Sequence, residues 1–105
     1  MAKVVNVRHE KPGSYVYIGR EVPGFAGSEW GNPFKGGRDG TRAQVIAQYR
    51  KWLWAKIQAD PGCISRLAAL DGQDLGCWCK PLDCHGDVLL RAVAWAVKRQ
   101  KGQEP

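Results

Sequence analysis

The chain of 105 residues has the size of one small domain, long enough to bury a single hydrophobic core. Its 44% hydrophobic and 25% charged residues place it among soluble globular chains and outside the disordered and fibrous classes. No run approaches the roughly 18 apolar residues of a membrane span, and MAKVVNVRHE has no secretory h-region, so a cytoplasmic location without a membrane partner is expected. The formal net charge of +6 favours anionic partners, either a small nucleotide-like anion or nucleic acid, unless the dispersed basic residues are a solvated surface.

Val4 to Arg8 alternates and predicts a short strand. Ser14 to Ile18, β-branched and aromatic, predicts a second, and the turn-forming Lys11-Pro12-Gly13 between them predicts a hairpin. Residues 19–40 hold seven glycines and two prolines and read as one long loop, held down by Phe25, Trp30 and Phe34. Thr41 and Gln44 form a capping box that opens a helix. Its Val45, Ile46, Tyr49, Trp52, Leu53 and Ile57 share one arc, while Trp54 falls on the opposite side as an exposed aromatic. Asp60-Pro61-Gly62 ends it, and a shorter helix follows to about Leu70.

Leu75 to Cys79 predicts a third strand, broken by Pro81, and Asp83 is placed to cap a last helix running to about Arg99. That helix is apolar around most of its girth, which predicts packing on two sides or a dimer contact. The order β-β-α-α-β-α predicts a single α/β domain over residues 1–99, with three or four strands and a parallel component, followed by a flexible basic tail at 100–105.

Chemistry concentrates in Cys77 to Asp87, CWCKPLDCHGD. Reduced thiols are expected in a reducing compartment, and the period of two puts Cys77 and Cys79 on one strand face with Trp78 on the other. A thiol at a helix start is favoured as thiolate by the free backbone N–H groups there. Cys84 is therefore the expected nucleophile or ligand contact, with His85 or Asp87 as proton carrier and Cys79 as helper. Zinc held by Cys77, Cys79, Cys84 and His85 is the alternative. It suffers from an irregular C-x-C-x4-C-H spacing and from the divergence of neighbouring side chains on a helix, so no metal is assigned. Small buried thiols packing under a loop are the third reading. A cysteine-phosphatase loop is excluded, because Arg91 lies one position too late after Cys84.

The Trp30-Gly31-Asn32-Pro33-Phe34 segment reads either as a rigid loop that stacks on a base and bonds its edge, or as a hydrophobic plug for the core. Arg8 and Arg20, at the ends of the first two strands, are candidate phosphate contacts or ordinary surface arginines.

Taken together, VVNVR, YIGR, WGNPF and GCWCKPLDCHGDVLL, spread over Val4 to Val93, resemble the family catalogued as domain of unknown function 4326, found in phages and bacteria. The strand followed by Cys-His is also similar to domain of unknown function 488, with Gly86-Asp87 standing where that group has arginine. The resemblance implies a Rossmann-like fold and a pocket joining Arg8, Asn32, Cys79, Cys84, His85 and Asp87. It implies no reaction.

Overall fold

Three short strands share one sheet: β1 (Val4–Asn6), β2 (Val16–Tyr17) and β3 (Leu75–Cys77). The structure, a computed structural model, describes residues 3–35, 37–80 and 82–103. The strand order is β1-β3-β2, and both neighbours run parallel to β3, Val4 and Val16 each lying beside Leu75. The expected hairpin is therefore wrong. The Lys11–Ser14 turn forms, with the Ser14 amide donating to the Lys11 carbonyl at 3.1 Å. Before it, however, a 3-10 turn at Val7–His9 carries the chain away from β1 and leaves room for β3 between the two strands. Leu75, Gly76 and Cys77 are all buried, as a central parallel strand requires.

The three helices are α1 (Arg42–Ala59), α2 (Gly62–Ala68) and α3 (His85–Gln103). The capping box is present: the Gln44 amide donates to Thr41 Oγ1 at 3.2 Å, and the Thr41 amide to Gln44 Oε1 at 2.8 Å. Val45, Tyr49, Leu53 and Ile57 then face inward at spacings of four residues. Leu89, Val93 and Ala96 form the inner stripe of α3, which packs on α2, α1 and the sheet, as its broad apolar girth predicts. Past Arg99 the helix continues to Gln103, and the Gln100 amide group donates to Ser65 Oγ at 3.0 Å. The helix therefore covers residues 100–103 of the expected tail.

Trp30, only 5% exposed, plugs the core from the long loop, and its carbonyl accepts from the buried Tyr49 hydroxyl at 2.8 Å. Gly86 lets α3 approach the sheet closely. A Cβ there would lie 2.9 Å from Ile18 Cδ1 and 2.9 Å from Val4 Cγ2, so only glycine fits without displacement. Because all three strands run the same way, their carboxyl ends open on one side, at the start of α3.

Candidate functional site

β3 delivers Cys77 to its buried end, and the next two residues alternate as the pleat dictates. Trp78 turns the other way, toward β2, and its indole N–H donates to the Tyr17 hydroxyl at 3.0 Å. Cys79 returns to the first face, with its Sγ 3.8 Å from that of Cys77. The side chain of Asn6, at the end of β1, pins this turn by donating to the carbonyls of Trp78 and Lys80 at 3.2 and 2.8 Å.

Cys84 immediately precedes the first helical residue, so it, not Asp83, stands at the cap position. Asp87 accepts from the Cys84 amide at 3.2 Å and pairs with Lys80 at 2.9 Å, while the Gly86 amide donates to Cys84 Sγ at 3.4 Å. Asp83 instead offers its carbonyl to Arg42, at 2.9 Å. The Cys84 amide is thus spent on Asp87 and the Gly86 amide on the Cys84 sulfur, and Asp87, with both oxygens engaged, closes the helix start.

His85 is buried, with its ring edge-on to Tyr49 and centroids 4.8 Å apart. Nε2 lies 2.9 Å from the Ile18 carbonyl, an acceptor only, so Nε2 carries the proton. Nδ1 then turns its lone pair toward Cys84 Sγ, 3.6 Å away. Burial pushes the His85 pKa down and keeps the ring neutral. The ligand atoms of Cys77, Cys84 and His85 all lie within 4.8 Å of one another, a cluster able to hold a metal ion. The expectation that Cys84 and His85 diverge fails because Cys84 lies outside the helix, where the 100° helical increment does not apply.

The thiols divide unevenly. Hydrogen bonding to Cys79 raises the Cys77 pKa, and hydrogen bonding to Cys77 and Cys79, with burial, raises that of Cys84. Cys79 is lowered, because it accepts from Cys77 and Cys84 and lies near the Arg42 guanidinium. Cys84 is buried among other thiols, whereas Cys79 is partly exposed beside the Arg42 guanidinium, and these surroundings favour the thiolate at Cys79.

A cleft of about 400 Å³ opens onto this cluster. Cys77, Cys79, Cys84 and His85 line its inner end, Arg20, Lys35 and Arg42 give it positive charge, and Tyr17, Phe34 and Trp78 give it aromatic walls. Asn32 also lines it, but its side chain is spent on structure, donating to the Val45 carbonyl at 3.2 Å and accepting from the Phe34 amide at 2.9 Å. Arg20 braces the same loop through the carbonyls of Asn32 and Phe34, at 2.9 and 2.7 Å.

Trp30 is the plug, not a stacking platform, and Gly31 packs toward the Gly19 carbonyl outside the cleft. Arg8 lies over the Trp78 ring at 5.4 Å, and neither it nor Asp87 lines the cleft. Sequence reasoning missed Asn6, Lys35 and Arg42. Arg42, directly after a helix cap, carried the weak signal that a cap residue and its neighbour face whatever sits at that helix end.

The molecule is a small α/β domain with a three-stranded parallel sheet and a cysteine–histidine cluster at the carboxyl ends of its strands. The family model described as domain of unknown function (DUF4326) matches residues 5–95, and the chain belongs to that family. It is 36% identical over 67 residues to the uncharacterized 12.4 kDa protein in the nrdA-td intergenic region of Enterobacteria phage T4. The match covers 64% of this chain and 61% of the phage protein, so the chain spans less than two thirds of that relative's length. The likeness to domain of unknown function 488 finds no support in these matches, and no solved structure matches. No helix among the described residues is long and apolar enough to cross a membrane.

Proposed function

We propose that this domain binds one zinc ion through the gathered donors of Cys77, Cys84 and His85, with Cys79, whose sulfur lies 3.8 Å from that of Cys77, swinging in as the fourth ligand. The spacing of the donor atoms carries this reading. Zinc–sulfur bonds of about 2.3 Å and zinc–nitrogen bonds of about 2.0 Å, arranged tetrahedrally, separate two sulfurs by about 3.8 Å and sulfur from nitrogen by about 3.5 Å. The Cys77–Cys79 and Cys84–His85 separations are 3.8 and 3.6 Å. Two further details suit the ion. The protonated Nε2 on the Ile18 carbonyl orients the ring so that Nδ1 is the ligand, and the Gly86 amide steadies the Cys84 sulfur. Four protein ligands complete a tetrahedral shell, which makes the ion a fastening between β3 and α3.

Protein purified without chelator should carry one zinc per chain by elemental analysis, and cobalt exchange should give the intense visible bands of a tetrahedral thiolate site. Cys77→Ser should lose the metal, and Cys63→Ala, outside the cluster, should keep it. Metal-free protein whose Cys79 alkylates rapidly at neutral pH would instead establish the reactive-thiol reading.

The second reading concerns the cleft above the cluster. It lies outside the carboxyl ends of parallel strands, where Rossmann-like domains take their ligands, and Arg20, Lys35 and Arg42 face it against a single acid, Asp83. An anion with a planar group, such as a nucleoside monophosphate, fits that mixture of cations and aromatics. Calorimetric titration should show binding that weakens about tenfold or more in Lys35→Ala or Arg42→Ala. Equal affinity in both variants discards this reading and leaves the zinc assignment intact.

A further inference from the structure

The charge of the molecule is segregated. α1 and α3 together carry eight basic residues and one acid, Asp87, which is already paired with Lys80. The rest of the chain holds eight basic residues against nine acids, so these two helices carry slightly more than the whole net charge of +6. Arg42 turns to the cleft described above, and Lys56 pairs with Glu29. Arg50, Lys51, Arg91, Lys98 and Arg99 pair with no carboxylate among the described residues.

Between the same two helices lies an apolar groove of about 510 Å³, which shares no lining residue with the cleft at the cysteine cluster. Leu53, Ile57, Val88 and Ala92 line it, with Trp54 and Trp95 packed edge to face at 5.4 Å. Arg50, Lys51 and Arg91 line it as well, and Arg99 continues the cationic stripe over the Trp95 ring at 5.8 Å. Trp54 is 48% exposed, among the largest apolar groups left in water here.

We propose that this groove binds single-stranded nucleic acid, with a base stacked on Trp54 and the flanking phosphates held by Arg50, Lys51 and Arg91. Charge complementarity selects the occupant. Every charged residue lining the groove is a cation, and Arg99 extends the positive charge along α3 beside the Trp95 ring. An accessible indole at their centre offers a stacking face that any base can use. A duplex keeps its base faces covered and could meet the charge alone. An acidic peptide would likewise answer the charge but would gain little from stacking.

The test is fluorescence anisotropy of the intact protein with a labelled oligothymidine and a labelled oligouridine of about 20 nucleotides. Binding is expected at about 50 mM salt and should weaken steeply by about 200 mM, with a log–log slope near −3 if about four phosphates are contacted. Trp54→Ala should weaken it about 5- to 100-fold, while Trp54→Phe, which keeps a stacking ring, should retain most of it. Arg50→Ala with Arg91→Ala should reduce both the affinity and the salt slope. Absence of binding at low salt overturns the proposal. So does affinity unchanged by Trp54→Ala, or tighter binding to a duplex or to a polyglutamate peptide of equal charge.

Discussion

Asn6 shows how a residue with no chemistry of its own sets a site. Its carboxamide holds the carbonyls on both sides of Cys79, and its Oδ1 accepts from the Arg8 amide at 3.0 Å, so the whole side chain is committed to the turn. Removing it frees the Cys77–Lys80 segment without touching a donor atom. Asn6→Ala should lower zinc affinity about 10- to 100-fold, the usual cost of losing support behind a metal ligand. Competition with a chromophoric chelator measures this, and an unchanged affinity would show that the turn holds itself. The cysteine–histidine cluster was legible in the sequence because its members lie within nine residues of one another. Asn6 was not, because its partners lie 72 and 74 positions away and nothing local distinguishes it from any polar residue in a strand. Arg42 was hidden for the same reason, since its contact with Asp83 spans 41 positions.

The elements divide by how local their causes are. α1 was readable because its capping box and its inward-facing stripe are written within its own residues. β2 was recognisable as extended chain, yet its partner was not: a turn signal at Lys11–Gly13 argues for a hairpin, and only the arrival of β3 decides otherwise. The start of α3 was placed one residue early, because Asp83 is the commoner capping residue and Cys84 the actual one. How tightly that helix sits on the sheet depends on Gly86. Gly86→Ala should destabilise the fold by about 1–3 kcal/mol in urea unfolding, since its methyl meets Ile18 and Val4 in a closed core. Gly102→Ala, in the same helix but with nothing within 4 Å of the added carbon, should be neutral or slightly stabilising. Equal effects at the two positions would mean that backbone entropy, and not the close approach, governs both.

At the scale of the whole molecule, the expected class, a single α/β domain with a partly parallel sheet, was readable from the order of elements, and the sheet is parallel throughout. The charge segregation was not, because the basic residues look evenly scattered along the chain and gather only when α1 and α3 come side by side. The molecule thus has two separate cationic regions, one beside the cysteine cluster and one between the helices. The placement of β3 between β1 and β2 also has a meaning in time. Both early strands must wait for Leu75–Cys77 before they gain any sheet partner, so during synthesis Val4–Asn6 and Val16–Tyr17 have no sheet to join until that late segment is made. Cys77, Cys84 and His85 emerge in the same late stretch, so the central strand and the cysteine–histidine cluster become available to the chain together.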